Sequence, residues 1–334
     1  MIKLLSNKSE RILKTDHMEK YKINKMRFSG LTILVICLMS LPAIDLNGQT
    51  TNEKKQTTPA EKPFGPFLAV ASVQMRSTGD LADNVVRMSD FIKKCAAEGA
   101  RVVVFPECAL SGYFEKVILE LTAEQINEAE KKVRQACRDA SVYAVIGMPY
   151  REGTRLFNTA TVITPDGSVL ERYHKVQLAE RWPDPGDHLS VFKIDGQNCS
   201  IIICHDERYP ELVRLPVLAG AMVIFYISHE SGVNQEKKID PYRAQIQARA
   251  VENGVFIVQS NAPANPDATG SHGQSRIIAP DGNIIWEATM FGEEVVSANL
   301  NLKEATQTNA LRSISRGVLQ EWWKEGMKSV RIID

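Results

Sequence analysis

Apolar and polar positions alternate along this chain in a repeating order of short β-branched runs and helical stripes. Residues 67–73 are an almost unbroken apolar run, and residues 83–97 place apolar side chains at 85, 88, 91, 92 and 95, which is helical spacing. Gly99 stands where that helix should close, and 101–105 is a second compact run, so the order strand, helix, strand predicts a parallel βαβ unit. Pro106-Glu107 follows at once, which places Glu107 at the carboxyl end of a strand. Residues 122–140 carry Ile126, Ala129, Val133 and Ala136 on one helical face, and 144–148 is the next strand.

Two hairpins are written in the same turn chemistry. Residues 158–163 and 168–173 flank Pro165-Asp166-Gly167, and 275–279 and 283–287 flank Pro280-Asp281-Gly282. The first ends in Tyr173-His174-Lys175. Between them, 189–194 pairs around Asp195-Gly196 with the run Ser200-Ile201-Ile202-Ile203, which stops at Cys204 and turns into the charged segment His205-Asp206-Glu207-Arg208. Helices are predicted over 210–220 and 240–253, the latter capped by Gly254, with strands at 221–227 and 255–258. The pattern is that of an α/β protein, in which ligands sit beyond the carboxyl ends of strands.

Composition changes little in this picture. The 334 residues are 44% hydrophobic and 24% charged, with 40 basic and 40 acidic side chains, so nothing favours nucleic acid as a partner. The N-terminus differs. Lys20, Lys22, Lys25 and Arg27 precede the apolar core 31–41, and small residues follow, the pattern of a secretory signal peptide over 1–48 with Met18 or Met26 as alternative starts. An uncleaved signal anchor is the other reading of that core, which is short for a membrane span. Residues 49–64 read as a flexible polar linker, 65–302 as the folded domain, and 303–334 as an extension whose Trp322-Trp323 should dock at an oligomer interface. The protein is therefore expected to be exported, periplasmic or secreted, with no stable membrane span once the leader is removed. Its cysteines, at 37, 95, 108, 137, 199 and 204, form no regular framework, and an oxidising compartment requires that such thiols be buried.

Glu107, Lys175 and Cys204 thus stand at the ends of three strand-like runs. Taken singly, Glu107 reads equally as a turn carboxylate, Lys175 as a surface lysine and Cys204 as a small buried hydrophobe. Taken together, Phe105-Pro106-Glu107, Tyr173-His174-Lys175 and Ile203-Cys204-His205-Asp206 with Arg208, Pro210 and Glu211 resemble the three motifs of the nitrilase superfamily of carbon–nitrogen hydrolases. Arg249-Ala250-Val251-Glu252-Asn253, a strand ending at Asn261 and the hairpin after Gly273 are similar to its closing blocks.

The resemblance implies a four-layer αββα sandwich, a homodimer or larger homo-oligomer, and a Glu-Lys-Cys triad working without cofactor or metal. In it Glu107 is the general base, Cys204 the nucleophile, and Lys175 with the backbone N–H of His205 the oxyanion partner. Glu180, the only glutamate between the lysine and cysteine motifs, takes the substrate-positioning role. Asp206 and Arg208 brace the turn, and the histidines at 17, 174, 188, 229 and 272, which have no ligand spacing, read as structural or incidental. His205 replaces the tyrosine or tryptophan more familiar after the cysteine, but the Asp206 that follows resembles amidase branches, which implies a small-molecule amide or N-carbamoyl substrate cleaved through a thioester. A nitrilase acting on a C≡N group and a noncatalytic binding homologue are the alternatives.

Overall fold

The computed structural model describes residues 65–231, 239–267, 270–315 and 317–333. The predicted leader (1–48) and linker (49–64) lie outside the described residues. Two sheets are packed face to face and each carries helices on its outer side. The strands of the first lie in the order Glu294–Asn301, Phe67–Gln74, Val102–Val104, Tyr143–Glu152, Arg155–Ile163, Val169–His174, and those of the second in the order Ile284–Glu287, Arg276–Ile278, Phe256–Asn261, Val223–Ser228, Gln197–Ile203, Leu189–Ile194, Val330–Ile333.

The first half begins with β1 (Phe67–Gln74), α1 (Leu81–Ala97) and β2 (Val102–Val104). β1 and β2 are parallel with Val70 opposite Val102, as the strand, helix, strand order predicts. Asp80 caps α1 by accepting from the Ala82 N–H. A short helix α2 (Glu115–Glu120) precedes α3 (Ala123–Ala140), whose Thr122 and Gln125 form a reciprocal capping box. Then come β3 (Tyr143–Glu152), parallel to β2, and β4 (Arg155–Ile163) and β5 (Val169–His174), which continue from it as an antiparallel meander. β3 runs four residues past the predicted end. Its outer half, Tyr150-Arg151-Glu152, is polar and partly exposed, so hydrophobicity alone does not mark it as strand.

The second half mirrors this. β6 (Leu189–Ile194) and β7 (Gln197–Ile203) form the hairpin around Asp195-Gly196, and a 3-10 turn (Cys204–Arg208) leads into α4 (Glu211–Leu218). β8 (Val223–Ser228), α5 (Ile239–Asn253) and β9 (Phe256–Asn261) continue the sheet, with β7, β8 and β9 parallel. β10 (Arg276–Ile278) and β11 (Ile284–Glu287) are the second Pro-Asp-Gly hairpin. β12 (Glu294–Asn301) crosses to the first sheet and pairs antiparallel with β1.

The two repeated turns occupy equivalent places. Each is at the outer edge of its sheet, and each turn glycine offers its carbonyl to a helix: Arg134 of α3 donates to Gly167 O at 2.6 Å, and Gln247 of α5 donates to Gly282 O at 2.8 Å.

Side chains explain the layering. Val103, Phe105, Ala144 and Ile146 pack outward against α1 and α3, whereas Val102, Val104 and Val145 join the larger core that includes Ile201, Ile203, Phe225 and Ile257. Serine hydroxyls stitch the two sheets together, Ser72 Oγ to Gln259 O at 2.6 Å and Ser260 Oγ to Val73 O at 2.7 Å. This is the four-layer αββα sandwich expected from the motifs.

The C-terminal extension packs on the body of its own chain. Helices α6 (Thr308–Ser315) and α7 (Gln320–Gly326) bring Trp323 under the Arg214 guanidinium, 5.9 Å from the ring centre, and β13 (Val330–Ile333) adds a parallel strand beside β6. The neighbouring Trp322 stays 55% exposed. Among the described residues no helix is long and apolar enough to cross a membrane.

Candidate active site

Three strand ends converge where the sequence places Glu107, Lys175 and Cys204. Glu107 follows β2, Lys175 follows β5, and Cys204 opens the 3-10 turn after β7. Glu107 and Lys175 are 2% and 0% exposed, so neither is the solvated turn residue or surface lysine it could be singly. Lys175 Nζ donates to Glu107 Oε1 at 2.8 Å and to Glu180 Oε1 at 2.5 Å. Glu180 therefore turns inward to the lysine, and its second oxygen accepts the Ala179 N–H at 3.0 Å.

Close backbone packing sets both charges. A Cβ on Gly147 would lie 2.2 Å from Pro106 O and 2.6 Å from Cys108 N, so β3 can pass behind the Glu107 turn only with glycine there. Gly186 does the same for the lysine: its own Cβ would meet His174 O at 2.2 Å, and its N–H donates to Lys175 O at 2.8 Å. The nucleophile turn is held by Asp206, which is fully buried. Its carboxylate accepts from Ile203 N–H at 3.0 Å, Gln177 N–H at 2.8 Å and Tyr173 O–H at 2.8 Å, tying the cysteine turn to the lysine loop. Cys204 itself has φ +44°, a left-handed conformation that costs a non-glycine residue on the order of 1 kcal/mol and persists only where such bracing over-determines it. Arg208 donates to Tyr242 O–H at 2.9 Å and lies over its ring, a bracing contact as expected. The His205 ring meets Tyr209 edge-on.

Three contributors were given no part in the site by sequence. Asn158 on β4 donates to Glu107 Oε1 at 2.7 Å and reaches Glu180 Oε1 at 3.4 Å. Tyr113 gives its hydroxyl to Glu180 Oε1 and stacks on the His229 ring at 4.5 Å and 3°. His229 donates its backbone N–H to Glu107 Oε2 at 2.8 Å. The only signal for Asn158 was a lone amide in a buried strand whose other polar members are Arg155 at its start and two threonines. Tyr113 and His229 lie on loops whose partners are more than sixty residues away, which no local pattern reveals.

The electrostatics follow from burial. Desolvation pushes the Glu107 carboxyl up to about 7, against the lowering pull of the Lys175 ammonium. Burial alone would depress Lys175, but Glu107, Cys204 and Glu180 hold it well above the ordinary lysine range, so it is a fixed cation. Burial would raise Glu180, but Lys175 and Tyr113 keep it below the usual carboxylate range. Burial and the Glu107 charge raise the half-buried Cys204 thiol well above an ordinary cysteine, and Lys175 only partly offsets them. The His229 imidazole is pushed down to about 4 by burial and by Lys175, so it is neutral. Cys95, Cys108, Cys137 and Cys199 are all buried. Among the described residues no group of three or more His, Cys, Asp or Glu side chains is placed to hold a metal ion.

A half-buried thiol, a buried carboxylate and a fixed ammonium at three strand ends suit covalent acyl transfer. Comparisons with known proteins agree. The sequence model of the family described as Carbon-nitrogen hydrolase matches residues 69–310. The omega-amidase of Homo sapiens is 26% identical over 253 residues, covering 71% of this chain and 90% of that protein. The 2-oxoglutaramate amidase of Bacillus subtilis is 29% identical over 238 residues, covering 69% and 89%. Among solved structures, an amidase from Nesterenkonia sp. superposes with a TM-score of 0.65 at 25% identity, covering 71% of this chain and 92% of that one. With its sandwich of two sheets and its cysteine at a strand end, the chain belongs to the carbon–nitrogen hydrolase family, in the amidase-like part of the nitrilase superfamily.

Proposed function

We propose that this amidase-type hydrolase acts on a small linear amide or N-carbamoyl compound, with Cys204 as nucleophile, Glu107 as general base and acid, Lys175 as cation and Glu180 as the group that orients the substrate nitrogen. The observation that carries the reading is the shared ammonium. Lys175 Nζ binds Glu107 and Glu180 at once, which leaves one carboxylate to move a proton and a second, kept ionised, to accept a hydrogen bond from an amide N–H. The amidase names of the Homo sapiens and Bacillus subtilis relatives support an amide over a nitrile.

In this reading the resting thiol is protonated. Glu107 takes its proton as the sulfur attacks the carbonyl carbon, and Lys175 with the His205 N–H stabilises the oxyanion. Glu107 then returns the proton to the departing nitrogen, so ammonia or an amine leaves and a Cys204 thioester remains. Water, deprotonated by Glu107, cleaves the thioester to a carboxylic acid and restores the thiol. The test is product release over a panel of linear amides, N-carbamoyl amino acids and nitriles, with Cys204→Ala as control. Ammonia from amides or carbamoyl compounds is expected, and turnover confined to nitriles would overturn the reading.

The base also sets a pH profile. Glu107 works as carboxylate and burial raises it to about 7, so kcat/KM should fall about tenfold per pH unit below that value and level off above it. Measurement between pH 5 and 9 checks this. An acid limb near the ordinary glutamate value would mean that the base is solvated or is another group.

The leader pattern extends the proposal to an exported enzyme. N-terminal sequencing of protein recovered from the producing cell should find a start near residue 49. A start at Met1, Met18 or Met26 would refute cleavage.

A further inference from the structure

The helix-facing side of the second sheet carries a polar row where aliphatic side chains would pack against α5. Tyr226 on β8 is opposite Gln259 on β9, Gln259 is opposite Arg276 on β10, and Arg276 is opposite Glu287 on β11, so the four side chains share one face. Ser260, the next residue along β9, points the other way into the first sheet, which fixes that face as the outer one. Tyr226, Gln259 and Arg276 are each at most 1% exposed.

Glu230, two residues beyond β8 and 2% exposed, is the hub of this row. Its carboxylate accepts hydrogen bonds from Tyr226 O–H, from His272 Nε2, and from Gln259 Nε2 at 3.0 Å, and its backbone N–H donates to Asn261 Oδ1 at 3.1 Å. A buried carboxylate is expensive to desolvate and is tolerated only when bonded in this way. The triad chemistry gives it no task. Two connections lead from it to the reacting groups. The Tyr226 hydroxyl lies 3.4 Å from the Cys204 carbonyl oxygen, and His229, adjacent in sequence, gives its N–H to Glu107 Oε2.

We propose that Glu230 is a positioning residue of the hydrolase: through Tyr226 it holds the turn that carries Cys204, and through the His229 backbone it holds the carboxylate of Glu107, so that nucleophile and base keep one register. This rests on the assignment of Cys204 and Glu107 given above. Position matters at this level because a displacement of about 1 Å between reacting groups can cost on the order of a hundredfold in rate.

The charge of the same carboxylate also bears on the thiol. The titratable groups whose charges act with or on Cys204 are Glu107 from the end of β2, Lys175 and Glu180 from the segment after β5, Tyr113 from the loop before α2, Tyr226 and Glu230 from β8 and beyond, and Tyr242 from α5. Around Glu230 itself stand His272, Tyr226, Arg276 and Glu207. Its negative charge adds to that of Glu107 in disfavouring the thiolate, so removing the charge should ease thiol ionisation, whereas a residue that merely fills space would leave it unchanged.

The experiment uses the full chain with Glu230→Gln and Tyr226→Phe, reading kcat and KM on the best amide of the panel and the pH dependence of Cys204 alkylation by iodoacetamide. Both variants should lose about tenfold to a hundredfold in kcat with KM within about threefold. Glu230→Gln should shift the alkylation midpoint to lower pH, and Tyr226→Phe should not. Wild-type kcat in either variant, or an unmoved midpoint in Glu230→Gln, overturns the proposal. If Glu230→Gln does not fold, Tyr226→Phe decides, because it deletes one hydroxyl and no carbon. Turnover surviving in Cys204→Ala would instead refute the nucleophile assignment, which separates the two failures.

Discussion

Cys204→Ala should leave a folded protein with no measurable turnover, a loss in kcat of at least about 10⁴-fold, since a nucleophile and its base act as one unit. The fold should survive because the substitution removes one half-buried sulfur and keeps the Cβ. Asp206 holds the turn through Ile203, Gln177 and Tyr173, and none of these hydrogen bonds uses the thiol. Cys199→Ala is the informative partner. Cys199 lies five residues earlier on β7, wholly buried and paired with Phe192 across the hairpin, so its loss leaves a small cavity worth about 1 kcal/mol and should leave kcat nearly intact. Ammonia release and thermal melting of both variants check this. Equal activity losses would trace the effect to folding and sink the nucleophile assignment.

The contrast between these two cysteines shows what the sequence can and cannot say. Cys199 stands near the start of one strand and Cys204 just past its end, and either alone reads as a small buried hydrophobe. Cys204 is distinguished by standing where the run stops, and strand ends are legible because β-branched runs, turn residues and charged segments change abruptly there. The same reasoning located Glu107 after 101–105 and Lys175 after 168–173. Hairpins around Pro165-Asp166-Gly167 and Pro280-Asp281-Gly282 were legible because turn chemistry is local.

What was not legible is what long-range packing decides. Asn158, Tyr113, His229 and Glu230 acquire their roles from partners brought by other strands, as with the 122 residues that separate His229 N–H from Glu107. Gly147 and Gly186 look like any other glycine until the backbone behind them is placed. The extension was read through its tryptophans as docking at an oligomer interface, whereas Trp323 packs against Arg214 of its own chain and Trp322 stays exposed. The extension's strand β13 pairs with β6, and at four residues it is too short to carry a pattern of its own.

Lys175→Met should be as damaging to stability as to catalysis, and the pH dependence of that damage identifies its cause. The lysine has no exposed side-chain surface and neutralises two buried carboxylates, one of them 2.8 Å and the other 2.5 Å from its nitrogen. Methionine fills nearly the same volume, so packing is conserved and the electrostatic term is isolated. Breaking a buried ion pair by removing one partner costs about 3–5 kcal/mol, which corresponds to a fall in Tm on the order of 10 °C. In the wild type the ammonium lowers Glu180, whose contribution to stability is present above the unfolded-state value and is lost as pH falls. Without the ammonium both carboxyls rise in the folded state, so the variant loses stability as pH increases through the ordinary glutamate value and beyond, and recovers as the acids protonate. The gap in Tm between wild type and Lys175→Met should therefore be small near pH 5 and wide near pH 8. Lys175→Arg keeps the charge but presents a planar fork where a compact ammonium fits between two oxygens, so it should restore part of the stability without restoring kcat. A gap that is constant across this range would mean that shape, not charge, holds the lysine in place, and the two carboxylates would then need another explanation for lying side by side.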